Sequence, residues 1–300
     1  MYIINWKWGM NLEPKERLRI GNGISKITIV INVILSVIKV AAGIFGKSSA
    51  MISDGVHSLS DVMSTFCVMI GLKMSEKPGD SDHPYGHEKY EPVFAKILAV
   101  ILGITGIMIG YKSIQIISLG QYNIPGKITI FAAILSIITK EWMYRYTIKG
   151  AKKIDSSALF ADAWHHRSDA FSSVGTLIGV VGARIGYPIL DPIASIVICV
   201  IIIKVAVYIY IGAVNQLMDC AADKDTINKI VKDIENVSGV LKIDDLKTRV
   251  HASRLYVDVE ISVCKELSLL DAHDIAEKVH FKIEESNSKV KHCMVHVNPY

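Results

Sequence analysis

Paired cysteine motifs are missing from this sequence. Its 300 residues hold five cysteines, Cys67, Cys199, Cys220, Cys264 and Cys293, and no two form a CxxC pair. That excludes a zinc ribbon and a dithiol redox site, and an odd count beside a water-soluble segment reads as free, mostly buried thiols. No HExxH is present, so the usual helical metallohydrolase motif is absent. A strong charge is missing too: the formal net charge is only +4, too little to argue for a nucleic-acid partner. Residues Met1 to Ile20 are of mixed charge and contain no cleavable apolar region, so no signal peptide is expected.

What is present is apolar and unevenly charged. The chain is 51% hydrophobic and its mean hydropathy is +0.36. Residues 221–300 hold 12 Lys/Arg and 14 Asp/Glu, a net −2, which leaves 21 and 15, a net +6, for residues 1–220. Disorder, one soluble domain and a disulfide scaffold are all excluded by that split. Six stretches are near the roughly 20 apolar residues that a spanning helix needs: 25–45, 49–72, 92–117, 125–146, 157–185 and 190–213. The first, third and sixth are the most apolar. The second and fifth carry Ser, Asp, His and Gly, and polar groups at such depth are costly and usually functional. Thirteen Lys/Arg, with Lys140 counted among them as a loop residue, fall on the side of the N-terminus and the even-numbered loops, against four on the other. By the positive-inside rule both termini are cytoplasmic.

After Asp219 the pattern changes. Residues 225–237 have a helical period, 239–263 read as two strands with clean alternation at Leu255 to Ile261, 271–286 form a second amphipathic helix, and 291–298 a last strand. The expected fold class is therefore a membrane all-α six-helix bundle, residues 1–220, followed by a small cytosolic α+β domain (αββαβ, ferredoxin-like), residues 221–300.

One internal repeat carries the chemistry. Residues 49–64 read SAMISDGVHSLSDVMS, and 157–172 read SALFADAWHHRSDAFS, an offset of 108. Each copy puts Asp, His and Asp at i, i+3 and i+7, one stripe of a helix. His57 and Asp61 from the second span, with His165 and Asp169 from the fifth, supply two imidazoles and two carboxylates, a set suited to tetrahedral zinc. Asp54 and Asp162, one turn away, are read as acceptors that orient the imidazoles. His166 faces about 100° from His165 and is left out. In the loop after the second span, Asp80, His83 and His87 are spaced either for a metal or for a solvated polar turn.

These features resemble the cation diffusion facilitator family: six spans, DGVHSLSD in the second, HHRSD in the fifth, the loop DHPYGHEKYE and an α+β tail. The resemblance implies a homodimeric, proton-coupled exporter of divalent metal, not an enzyme, in a bacterial plasma membrane. It implies that His57, Asp61, His165 and Asp169 form the transport site, with zinc as main cargo and manganese, iron, cadmium or cobalt as alternatives. No resident cofactor is expected; the partners are the metal, protons, the lipid bilayer and a second copy of the chain. The resemblance also favours the metal reading of Asp80, His83 and His87. It implies a charge interlock of Lys89 with Asp219, and a tail metal site at Asp244, Glu260, His273 and His296, where Asn298 replaces a usual Asp. The rival from another class is an intramembrane metal-dependent hydrolase. It is disfavoured because catalytic zinc keeps three protein ligands and an open position, whereas the quartet offers four ligands. A passive channel differs in that its flux would not depend on a proton gradient.

Overall fold

The structure is a computed structural model that describes residues 14–45, 49–120, 127–184, 187 and 189–300. They fall into two compact units that part between Val214 and Asn215, a few residues before the expected 220/221 boundary. The first unit consists of six long helices: α1 (Pro14–Phe45), α2 (Ser49–Ser75), α3 (Tyr90–Leu119), α4 (Lys127–Ile154), α5 (Ser157–Arg184) and α6 (Leu190–Leu217). The described residues of all six expected stretches are helical; residues 125–126 and 185 lie outside the described residues. Most of the helices run past the expected ends, α1 by eleven residues at its start and α4 by eight at its finish, because their polar ends extend beyond the apolar windows. Three described segments are long and apolar enough to cross a membrane by length and composition, Lys15–Ala41, Tyr90–Leu119 and Cys199–Leu217. They lie on α1, α3 and α6.

Helix ends follow local chemistry. Pro14 opens α1, where its missing N–H costs nothing. Gly120 closes α3 at φ 62, and its N–H bonds back to the Ile116 carbonyl. Between α4 and α5 only Asp155 and Ser156 intervene; Asp155 takes a left-handed φ of 51, and the Ser156 hydroxyl accepts from the Leu159 N–H at 3.1 Å. This tight turn packs α4 along α5, as α1 packs along α2, and α2 also meets α5. Gly106 and Gly110 of α3 let α6 approach closely: a Cβ at Gly110 would lie 2.6 Å from Cys199 Sγ.

The outer surface of this unit is apolar and its interior is mixed, with polar groups buried beside apolar ones such as Leu72, Leu102 and Met143. Val30, Val37, Met108, Tyr111, Phe131 and Val200 point outward and are exposed. Inside lie Ser25, Thr28, Asn32, Ser36 and Lys39 along one stripe of α1, together with polar groups of α2, α4 and α5. Such a surface suits hydrocarbon. Near one end of the unit Arg17 of α1 is buried and ties together α3, α4 and Glu76, the residue after α2. Its Nη1 donates to Glu76 at 3.0 Å, Nη2 to Glu91 at 2.5 Å, and Nε to the Ile154 carbonyl at 2.7 Å.

The second unit has the order α7 (Lys224–Glu235), β1 (Lys242–His251), β2 (Arg254–Val263), α8 (Leu269–Ser286), β3 (Val290–Pro299), the αββαβ order expected. Its sheet runs β1-β2-β3, with β1 antiparallel to β2 and β3 parallel to β2. Asp223 caps α7 through the Thr226 N–H, and Ser268 caps α8 through the Asp271 N–H. The core is ordinary and apolar: Ile230 and Ile234 of α7, Val257, Val259 and Ile261 of β2, Val279 and Ile283 of α8.

Candidate metal centre

The repeated stripes of α2 and α5 face each other. Asp61, His165 and Asp169 are all buried, and each offers one ligand atom within 4.8 Å of the others. His165 Nε2 lies 3.3 Å from Asp61 Oδ1. One turn along, the Thr65 hydroxyl donates to Asp162 Oδ1 at 3.2 Å and so ties α2 to α5 beside the cluster. The side chains of Asp54 and His57 lie outside the described residues, so the fourth expected ligand is known only by its place on α2.

Asp162 does not reach His165 in the way the spacing suggested. Its Oδ2 faces His166 Nε2 at 3.5 Å instead. The reason is helical: four residues advance about 40° past a full turn, whereas three fall about 60° short. Asp162 and His166 are both fully buried, so His166, which sequence reasoning left aside, belongs to this polar interior.

The residue that sequence reasoning missed is Lys140. It is 1% exposed, in the middle of α4, and its ammonium donates to Asp61 Oδ2 at 2.5 Å and Asp169 Oδ2 at 2.9 Å. Counting it as a loop charge was wrong. α4 extends to Ile154, so Lys140 sits deep in the helix, and the charge imbalance becomes twelve against four. The available signal was a lysine on the same helical stripe as Ser136, which is also buried.

The loop residues also converge. Asp80 Oδ1 accepts from the His83 N–H at 2.7 Å and the Asp82 N–H at 3.1 Å. His83 Nδ1 is 3.2 Å from the same oxygen, and His87 Nε2 is 3.4 Å from Asp80 Oδ2. His87 Nδ1 donates to the Pro78 carbonyl at 3.0 Å, which leaves Nε2 as the ring's acceptor toward the cluster. The His83 N–H holds the Asp80 carboxyl below its ordinary range. A cation fits the three ligand atoms by distance. Lys89 precedes α3 in the first unit and Asp219 follows α6 in the second; their interlock remains an expectation.

In the tail the expected four residues do not gather. Asp244 Oδ2 accepts from Ser262 Oγ at 2.5 Å and from Asn298 Nδ2 at 3.2 Å, and Lys242 donates to its other oxygen at 2.8 Å. Those bonds, Lys242 first, hold Asp244 at about 2. Glu260 lies 3.5 Å from Asn298 Nδ2 and pairs with His296 across the sheet. Among the described residues no ligand-sized cluster includes His273 or His296. A different trio does form: His280 and Glu284 of α8 with His292 of β3. His280 Nδ1 donates to the Cys293 carbonyl at 2.7 Å, while its Nε2 lies 3.3 Å from Glu284 Oε1. The HxxxE spacing on α8 was the signal; the strand pairing that brings His292 close was not readable. Burial pushes the Cys293 thiol up to about 12, so it is no thiolate at neutral pH.

The model of the cation efflux transmembrane domain matches residues 25–218. The chain belongs to the cation efflux family. The cytoplasmic domain model of the same proteins matches residues 222–300. An uncharacterized transporter of Methanocaldococcus jannaschii is 37% identical over 91% of this chain and 96% of its own length. The manganese efflux system protein MneP of Bacillus subtilis is 33% identical over 95% of this chain and 98% of its own. Magnetosome protein MamB of a Magnetospira species is 32% identical over 90% and 92%. The family is one of metal transporters, and the chain is a membrane protein with a transmembrane domain followed by a cytoplasmic one.

Proposed function

We propose that this protein exports a divalent transition metal from the cytoplasm in exchange for protons, as a homodimer with six spans and both termini inside. The observation that carries the reading is the buried convergence of Asp61, His165 and Asp169 from two repeated helical stripes. Their carboxylates are too costly to keep in a bilayer without a positive charge to meet them. With His57, whose position in the repeat matches that of His165, they make a set of two imidazoles and two carboxylates. Metal needs these groups deprotonated, so protons compete for the same atoms and a proton gradient can drive release. Rocking of the helices would open the site to each side in turn.

Zinc is the cargo favoured by the donor set, because imidazole suits zinc. A second reading, manganese, is favoured by the relative named as a manganese efflux protein, similar over nearly the whole chain. The trio at Asp80, His83 and His87 is read as a loop metal site. The tail, which holds a separate apolar core, is read as a regulatory and dimerising domain. The test is metal uptake into proteoliposomes with an imposed pH gradient, run for zinc and manganese separately. Uptake of one metal that vanishes when the gradient is collapsed is the expected result. Uptake indifferent to the gradient would point to a channel.

A further inference from the structure

Lys140 makes the candidate site more than a set of ligands. Its ammonium lies between the two carboxylates that the proposed function assigns to the cargo, at 2.5 and 2.9 Å, in a place closed to solvent. A divalent cation bound by Asp61 and Asp169 would use the oxygens that now accept from Nζ. Both cations cannot hold those oxygens together, since an ammonium and a metal within a few Å repel strongly where the dielectric is low. We infer that Lys140 is a tethered counter-ion, which offsets one of the site's two carboxylate charges when the cargo is absent and is displaced when the cargo binds.

The inference rests on the reading of Asp61 and Asp169 as cargo ligands. Lysine suits such a role because its charge sits on a flexible four-carbon stem, so the head group can leave the carboxylates without moving α4. The neighbours support a charge role over simple packing. α1 brings a second buried lysine, Lys39, whose ammonium donates to Ser58 on α2 at 2.9 Å. Lys140 comes from a third helix and bridges Asp61 of α2 to Asp169 of α5. The consequence is that metal binding is an exchange of one cation for another. The metal-free carrier can return through the membrane with one of its two carboxylate charges offset by the lysine, and the cargo is bound less tightly than the bare ligand set would hold it. Loose binding helps a carrier to release.

The experiment is calorimetric titration of the full-length protein in detergent with Zn2+ and, separately, Mn2+. Thermal midpoints are measured with and without each metal. Lys140→Met is expected to bind at least ~10-fold tighter than wild type and to gain more thermal stability from metal than wild type does, because its metal-free carboxylates have lost their partner. Lys140→Gln repeats that arm if the methionine variant folds poorly. Lys140→Arg keeps the charge in a planar fork that grips two carboxylates, and is expected to bind metal at least ~10-fold weaker. Asp169→Asn is expected to lose the binding event assigned to this site, while any binding at Asp80, His83 and His87 remains. If Asp169→Asn loses that event but removing the lysine's charge leaves affinity unchanged or weaker, or Lys140→Arg binds as wild type does, the inference falls and the site stands. If Asp169→Asn binds as wild type does, both fall.

Discussion

In the helical unit the buried side chains include Lys39, Lys140, Asp61, Asp162, His165, His166 and Asp169, while Val37, Met108 and Phe131 face out. In the tail the most deeply buried side chains include Ile230, Ile234, Val257, Val259, Ile261 and Ile283, and charges such as Lys242 and Lys247 are exposed at 60% and 74%. The same physics gives both arrangements. Water rewards an apolar interior, but hydrocarbon is as apolar as leucine and leaves packing, hydrogen bonds and charge pairing to hold helices together. Polar groups can therefore collect inside the helical unit, and buried carboxylates find partners there: Asp61 and Asp169 in Lys140, Asp162 in Thr65, Glu91 in Arg17. A carboxylate stripped of its partner at such depth costs on the order of 3 kcal/mol on insertion scales. In the tail the same loss at the surface would cost little.

That contrast can be broken from either side. The largest effect on stability is expected from the tail core. Ile261→Ala removes a fully buried side chain and should cost ~3 kcal/mol of tail stability. Metal binding by the helical unit should persist, as read by titration beside hydrogen exchange of the tail amides. Loss of all binding in that variant would mean the site is not confined to the helices. His57→Asp is expected to shift preference from zinc toward manganese or cadmium, since a carboxylate replaces an imidazole. The check is a metal panel in the same vesicles, and an unchanged zinc-to-manganese ratio would remove His57 from the choice of cargo. The smallest effect is in acid. Asp244 falls from its ordinary 3.8 to about 2 in the folded tail, so it contributes stability above pH 3.8 that is lost as pH falls through about 2. Asp244→Asn should lower tail stability at neutral pH and flatten its acid dependence between those values. Acid unfolding followed by tail amide exchange would record an unaltered slope if the Lys242, Ser262 and Asn298 bonds were unimportant.

The contrast between the two units also explains what could be read from sequence. The Asp-x-x-His-x-x-x-Asp stripes were legible because helical periodicity alone puts Asp61 on one face of α2 and His165 with Asp169 on one face of α5, and burying them twice demands a common partner. The αββαβ order of the tail was legible from the alternation at 255–261 and the amphipathic helices. Lys140 was not. A lysine near the end of an apolar window looks like an interfacial charge, and only the length of α4 and its packing along α5 turn it inward. The tail trio was hidden for another reason: His292 meets Glu284 through the packing of β3 on α8, a contact that no local pattern encodes. The turn of Asp162 toward His166 came from the difference between three and four residues on a helix, too fine for a single stripe to resolve.

The central claim is that the carboxylates of the helical unit carry the cargo. It is tested most directly by pH-driven uptake of zinc and manganese into proteoliposomes containing wild type or Asp169→Ala, with folding checked by the elution profile of the detergent-solubilised protein. The account predicts that the variant elutes as wild type does and that its uptake falls to the level of empty vesicles for both metals. Uptake by Asp169→Ala at the wild-type rate would contradict it.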